Sequence, residues 1–188
     1  HSCIAWRDHL LIRLSSKSIL HPSQNKAIML LYFDRSMEEM SQIWHQSNLN
    51  RLDQVNKVHE KTLMEALEIE ITDIGDDYVQ GTMPVNEKTK QPYGLLHGGA
   101  SMGLAETLAS TGAGLCIDNE KYKIVGQEIN ANHLRSATEG KVTGIAKPVF
   151  VGSRTQVWEV KIYKSETVFT DKNLCCIARM TALRIDRS

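Results

Sequence analysis

The sequence has no excess of charge of either sign. Its 188 residues carry 22 basic and 22 acidic side chains, so the formal net charge is zero with neutral histidines. Binding to nucleic acid or to an anionic membrane favours a basic excess or a basic stripe, and this chain shows neither. We therefore expect no nucleic-acid partner and no membrane partner.

Long apolar runs and metal-ligand motifs are also lacking. In the first 40 residues the longest apolar run, Ala27–Phe33, is too short to cross a bilayer. The four cysteines show no metal-type spacing, and we expect neither a metal nor a dissociable cofactor. Adjacent Cys175 and Cys176 point to opposite faces of a strand, which favours small core residues in a reducing cytoplasm.

The length and the 41% hydrophobic content suffice for one domain with a real core. Within residues 1–39, the stretch from His1 to Arg35 shows no clear amphipathic period and no repeat. We interpret them as an N-terminal extension that is either poorly tied to the domain or upstream sequence outside the native protein. Met40 is then the natural start, and the predicted domain covers residues 40–188.

The most informative stretch runs from Gln91 to Ser110. Pro92 disfavours helix at Gln91 and Gly94 permits a tight bend, so the spacing predicts a helix that begins near His97 or Gly98. A helix that starts with glycines leaves backbone N–H groups approachable at the positive end of its dipole. Such an end can hold a developing negative oxygen.

This helix carries one carboxylate among small and apolar residues. Glu106 and Ser110 are four residues apart and share a face, which also holds Met102 and Gly103. A sheet or a second helix could approach the small positions closely, which predicts a buried helix. The small positions are Gly99, Ala100, Gly103, Ala105, Ala109 and Gly112.

The rest of the domain alternates between helical and strand periods. Apolar positions predict a helix within residues 48–63, with Asn48 as a cap, and a strand within residues 67–72. Trp158, Val160 and Ile162 share one face of a later strand. The order predicts an α+β fold in which one antiparallel sheet wraps a long central helix. The other predicted strands are residues 78–85, 124–133, 141–151, 155–164 and 174–185.

Several motifs resemble those of hot-dog-fold acyl-CoA thioesterases, in the group of the 1,4-dihydroxy-2-naphthoyl-CoA hydrolases and the phenylacetate-pathway (PaaI-type) thioesterases. The resemblance covers roughly residues 40–185. It rests on Gln91 and on the runs 94–101, 104–107, 125–133, 135–137 and 152–158.

The resemblance implies a fold, an activity and a site. It implies a hot-dog fold and hydrolysis of an acyl-CoA, with aromatic acyl groups ahead of fatty ones and a role in menaquinone synthesis. It also implies a homodimer that assembles into a homotetramer, with Glu106 of one subunit facing His97 and Gly98 of the other. The implied catalytic residues are Glu106, His97, Gly98, Gln91 and Ser110, and the implied substrate and CoA contacts are His133, Arg135, Ser136, Ser153, Arg154, Tyr93 and Met102.

Each of these residue types also has a structural interpretation. A lone acid can be satisfied by a backbone N–H or an arginine, and a lone histidine such as His97 often caps a helix. Ser110 lacks the Gly-x-Ser-x-Gly context of a nucleophile, and Cys116 fits a core position. Leu108 and Thr111 are further candidates for lining the acyl pocket.

Three other functions remain open at this point. A dehydratase or hydratase of the same fold would need the His-Phe-Pro or Asp-x4-His motif, and the sequence lacks both. A non-catalytic acyl-CoA sensor would need a recognition helix with a basic face, and residues 1–65 show none. A broad-range fatty acyl-CoA thioesterase would share all the predicted catalytic residues.

Overall fold

The computed structural model describes residues 43–48, 52–58 and 60–187. The extension predicted for residues 1–39, the start at Met40 and Cys3 lie outside these residues. In the described part of the chain, no helix is long and apolar enough to cross a membrane.

A single six-stranded sheet forms the frame of the domain. Its strand order is β1-β2-β4-β5-β6-β3, and every neighbouring pair is antiparallel. The burial of β5 alternates residue by residue, as its sequence pattern predicts. The strands are β1 (Glu70–Ile74), β2 (Val79–Pro84), β3 (Tyr122–His133), β4 (Lys141–Val151), β5 (Thr155–Tyr163) and β6 (Leu174–Asp186).

One long helix packs across this sheet. It spans Gly98–Leu115, is numbered α3 below, and lies against strands β2 to β6. A methyl group on Gly112 would lie 2.6 Å from the Trp158 ring, so only glycine allows this close approach. Leu108 fills the corresponding space against Gly81 and Gly144 of the sheet. The predicted α+β architecture and the predicted start of the helix are confirmed.

The helix is buried on one face only. Ala105 and Ala109 are fully buried against the sheet, whereas Glu106 on the opposite side is exposed. The predicted burial of the helix is confirmed for the face against the sheet, whereas Glu106 is exposed because the described residues of the chain cover the opposite face only in part.

The segment before the sheet is broken into short pieces. It forms a 3₁₀ turn (Gln46–Asn48), helix α1 (Leu52–Lys57) and helix α2 (Leu63–Ala66). The predicted single helix over residues 48–63 is wrong, since Lys61 has φ 59° and interrupts it. The strand predicted from Leu67 begins only at Glu70, because Leu67 caps α2 and Glu68 is left-handed with φ 56°.

Asn48 caps a different helix from the one that the sequence indicates. It is 3% exposed, and its Nδ2 donates to the carbonyl oxygens of Leu115 (3.1 Å) and Ile117 (2.7 Å) at the C-terminal end of α3. The Trp44 ring stacks on Trp158, with ring centroids 6.3 Å apart. Residues 43–48 are thus fixed to the end of the central helix.

We expect Asn48→Ala to lower the free energy of unfolding by about 1–3 kcal/mol. The substitution leaves buried carbonyl groups without their donor, and an unsatisfied buried polar group costs about that much. Urea unfolding followed by circular dichroism measures the change. Gln54→Ala removes an exposed amide from α1 and should shift the free energy by no more than about 0.5 kcal/mol. Equal unfolding midpoints for the two variants would contradict the capping role.

The cysteines of the described residues are free thiols. Cys175 and Cys176 are buried in the core, which confirms their predicted role. Burial raises the pKa of each of these two thiols to about 11 and that of the Cys116 thiol to about 12. A thiol that stays protonated at neutral pH is a poor nucleophile, so Cys116 is a packing residue.

Candidate active site

The N-terminus of α3 leaves one backbone donor free. His97 is the N-cap, and its Nδ1 accepts from the Gly99 N–H at 2.8 Å. Its carbonyl oxygen accepts from the N–H groups of Ala100 (3.0 Å) and Ser101 (3.1 Å). The N–H of Gly98 has no hydrogen-bond partner among the described residues. This donor, at the positive end of the helix dipole, is suited to a carbonyl oxygen that gains negative charge.

Five of the predicted site residues meet beside this donor. A pocket of about 300 Å³ lies between the start of α3 and the end of β3. Its lining also includes Leu95, Leu96, Ser101, Leu134, Ala137 and Cys175. The predicted residues in its lining are Gln91, Gly98, His133, Arg135 and Ser136.

The first turn of the helix requires glycine at position 98. A methyl group there would lie 2.7 Å from Nε2 of His133, the last residue of β3. Arg135 extends from the same strand end, and its Nη1 donates to the Leu174 carbonyl at 2.9 Å. The strand end and the helix start are thus held close together, and the pocket opens between them.

Two side chains have donors that remain available. His97 Nδ1 accepts a hydrogen bond, so the proton of the neutral imidazole is placed on Nε2. His97 lines a separate pocket with Lys88 and Lys90. Gln91 Oε1 accepts from the backbone N–H of Tyr93, and the side-chain Nε2 of Gln91 has no hydrogen-bond partner among the described residues, so it can donate.

The carboxylate lies in a different cavity. Glu106 and Ser110 line an open groove of about 570 Å³ between α3 and the short helices α1 and α2. A methyl group on Gly126 would lie 2.7 Å from Glu106 Oε1, so glycine at this point of β3 makes room for the carboxylate. Among the described residues, the one hydrogen-bond partner of Ser110 Oγ is a weak acceptor, Met180 Sδ at 3.7 Å.

The free donor and the carboxylate of one chain are too far apart to act on one carbonyl group. Glu106 follows Gly98 by eight residues of continuous helix, which corresponds to about 12 Å along the axis. A nucleophile or base must come within about 3–3.5 Å of the atom that it attacks or deprotonates. In a single chain, the Gly98 donor and the Glu106 carboxylate therefore lie at two separate places.

The remaining predicted residues, Ser153, Arg154, Tyr93 and Met102, do not line either of these two cavities. Ser153 lines a third pocket of about 390 Å³ with Lys121 and Arg184, and Arg154 beside it is exposed. Tyr93 is 89% exposed, and Met102 is half-buried and lines none of these cavities. Leu108 is fully buried in the core, so the prediction that it lines the acyl pocket is wrong, whereas Thr111 does line the groove.

Sequence reasoning missed one wall of the groove. Val55, Val58, Leu63 and Met64, from α1, α2 and the turn between them, form it. Their spacing indicates a helix with an apolar face, but a periodic pattern alone does not distinguish a core-facing residue from one that lines a cavity.

The antiparallel sheet around one central helix is the hot-dog fold, and a carboxylate and a helix N-terminal donor are kinds of group that hydrolases use. The thioesterase superfamily model matches residues 93–170. Over 130 residues the chain is 48% identical to the 1,4-dihydroxy-2-naphthoyl-CoA hydrolase of Escherichia coli, covering 69% of this chain and 91% of that protein. The chain belongs to the thioesterase superfamily.

Other relatives agree with this assignment. The proofreading thioesterase EntH of Cronobacter turicensis is 42% identical over 130 residues, which cover 69% of this chain and 90% of that protein. The crystal structure of a thioesterase variant from Pseudomonas aeruginosa superposes with a TM-score of 0.70 at 36% identity, covering 77% of this chain and 99% of that one. The prediction of an acyl-CoA thioesterase is thereby confirmed as an enzyme class.

Proposed function

We propose that this enzyme hydrolyses aromatic acyl-CoA thioesters, with 1,4-dihydroxy-2-naphthoyl-CoA as the foremost substrate and menaquinone synthesis as its setting. The main observation behind the proposal is the N–H of Gly98, which has no partner among the described residues. The same helix also contains the exposed carboxylate of Glu106. The 48% identity to a hydrolase of that substrate supports the choice of acyl group.

In the proposed reaction, the thioester carbonyl oxygen accepts a hydrogen bond from the Gly98 N–H. The free amide of Gln91 lies in the same pocket and helps to orient the carbonyl group. His97 Nε2–H is a further donor for placing the carbonyl, since its Nδ1 is held by the helix cap. Donors that are fixed before the reaction stabilise the charge that the oxygen gains as the carbonyl carbon becomes tetrahedral.

Glu106 acts on the carbonyl carbon by one of two routes, as the nucleophile or as the general base for an attacking water. Its carboxylate either bonds to the carbon directly, forming a mixed anhydride that water then cleaves, or removes a proton from a water held beside Ser110. In both routes the C–S bond breaks, the electron pair leaves with the CoA sulfur, and the products are a free acid and CoA. Every acid, base and donor in these steps belongs to the chain, so we propose that no metal or cofactor takes part.

We propose that the Gly98 donor and the Glu106 carboxylate are two half-sites, which join in a homodimer that assembles into a homotetramer. Strand β3 is an edge strand of 12 residues, and its outer side has no partner within the described residues. Gly126 and His133 of this strand lie beside Glu106 and Gly98, respectively, since a methyl group on either glycine would come within 2.7 Å of the other residue's side chain. Antiparallel pairing of two β3 strands about a two-fold axis would bring Glu106 of one subunit towards Gly98 of the other.

We propose that the CoA portion of the substrate binds at residues of the Gly98 pocket and at residues in or beside the pocket that Ser153 lines. Arg135 and Arg154 are cations suited to the CoA phosphates. His133, Ser136 and Ser153 offer further hydrogen bonds, and Tyr93 and Met102 are apolar contacts for the pantetheine arm or the acyl group. Three thiols without disulfide partners fit the reducing conditions of the cytoplasm, where we place the enzyme.

The proposal is tested with purified protein and a panel of acyl-CoA esters, by following release of the CoA thiol. We expect a higher kcat/KM for benzoyl-CoA and 2-naphthoyl-CoA than for hexanoyl-CoA and decanoyl-CoA. A preference for the aliphatic esters would replace the proposal by a broad-range fatty acyl-CoA thioesterase. Binding of the esters without turnover would replace it by an acyl-CoA sensor.

A further inference from the structure

We propose that the apolar wall formed by Val55, Val58, Leu63 and Met64 binds the acyl group and limits its size. This inference rests on the proposed thioester hydrolysis and adds a set of specificity-determining residues to it. The wall and Glu106 line the same groove of about 570 Å³, a volume suited to a small-molecule ligand. An acyl group that is attacked at Glu106 therefore has the wall directly beside it.

The wall exposes an unusual amount of apolar surface. Val58 is 73% exposed and Leu63 is 62% exposed, although both line a concave groove. Neighbouring exposed apolar side chains around a groove are typical of a ligand site, because burying them on binding is favourable. The carboxylate of Glu106 at the floor of the groove favours a reacting ligand as their occupant.

The opposite side of the groove offers few groups to a polar ligand. The hydroxyls of Thr107 and Thr111 donate to the helix carbonyls of Gly103 (2.7 Å) and Thr107 (2.8 Å). Asn119 Nδ2 donates to Asn48 Oδ1 at 3.2 Å and to the Gly114 carbonyl at 3.1 Å. Glu106 and Ser110 are then the polar side chains of the described lining that remain for the reaction. An apolar acyl group fits this surface better than a polar one.

The wall has a fixed position. Asn56, between Val55 and Val58, binds both backbone groups of Ile71 in the edge strand β1, with the Ile71 N–H donating to Oδ1 and Nδ2 donating to the Ile71 carbonyl, each at 2.9 Å. Helix α2 is closed by the bond from the Ile69 N–H to the Met64 carbonyl at 2.9 Å. Because both helices are held in this way, the wall can set an upper limit on acyl size.

Val58→Phe tests the wall by narrowing the groove. The probes are acetyl-CoA, benzoyl-CoA and 2-naphthoyl-CoA. We expect kcat/KM for 2-naphthoyl-CoA to fall about 10-fold or more, with a change of less than about twofold for acetyl-CoA, because steric exclusion acts only on an acyl group that reaches the wall. Val168→Phe places the same ring at an exposed site outside the groove and should leave all three values unchanged.

A uniform change for all three esters, or no change, would overturn the wall assignment. Turnover by the unmodified enzyme tests the proposed thioester hydrolysis separately. Normal turnover with unselective Val58→Phe effects would overturn only the wall, whereas no turnover by the unmodified enzyme would overturn the hydrolysis itself.

Asn56→Ala provides an independent test, because it changes how firmly the wall is held in place without changing the wall residues themselves. With its anchor to Ile71 removed, the wall is less restrained, and the ratio of kcat/KM for 2-naphthoyl-CoA to that for acetyl-CoA should change at least about threefold, chiefly through KM. A purely structural role for Asn56 would lower the melting temperature without changing this ratio, which would contradict its positioning role.

Discussion

Replacing Glu106 by glutamine is expected to lower kcat by at least about 10²–10⁴-fold. A general base usually contributes a rate factor in this range, and loss of a carboxylate nucleophile lowers kcat by at least as much. Glutamine keeps the size of the side chain and its exposure but removes the charge that either attacks the carbonyl carbon or accepts the water proton. Steady-state release of CoA from benzoyl-CoA measures the effect.

The same substitution should leave the fold unchanged. No hydrogen bond or ion pair of the described residues involves Glu106, and its side chain is exposed. Surface substitutions of this kind change the free energy of unfolding by no more than about 0.5 kcal/mol. Glu139→Gln removes another exposed carboxylate and should retain full activity. A Glu106→Gln enzyme that turns over at more than about a tenth of the unmodified rate would refute the catalytic role.

The sheet and the central helix were predictable because local sequence determines them. Pro92 and Gly94 fix where the helix can begin, and the helix starts at Gly98 as predicted. In β5, apolar residues alternate with polar ones, and the structure buries the expected face, including Trp158. Strong periodicity between turn residues is the most reliable signal in a single sequence.

The segment before β1 could not be predicted, because tertiary contacts determine its conformation. Asn48 looks like a helix N-cap by residue type, yet it binds carbonyls at the end of α3, more than 60 residues further along the chain. The Asn56 side chain similarly bonds both backbone groups of Ile71, as a neighbouring strand would do. No local pattern shows that an asparagine side chain will meet a distant backbone group.

The residues of the proposed site show the same contrast between local and tertiary signals. The types and spacing of Gly98 and Glu106 are visible in the sequence, and so is the rise of the helix that separates them. The groove wall is not visible, since Val58 has the spacing of an ordinary core residue and becomes functional only through the helices that it lies between. Residues that line a cavity are determined by what packs around them.

Gly98→Pro is expected to lower kcat by about 10²–10³-fold relative to Gly98→Ala. Proline is well tolerated at the first position of a helix and removes the N–H that we assign to the carbonyl oxygen. His97 has ψ 134°, which is compatible with a following proline. Both variants add a Cβ atom that displaces His133, so the difference between their kcat values reports only the loss of the Gly98 N–H. Loss of one such donor typically lowers kcat by about 10²–10³-fold.

Comparable kcat values for the proline and alanine variants would contradict the role of the Gly98 N–H, provided that both give the same melting temperature.

The Gly98→Pro variant also tests whether the active site is shared between two subunits. Coexpressed with Glu106→Ala chains, Gly98→Pro chains form mixed dimers in which one of the two sites combines an unmodified Glu106 with an unmodified Gly98. If the half-sites of different subunits cooperate, random assembly restores roughly a quarter of the full activity, whereas sites confined to single chains would restore none.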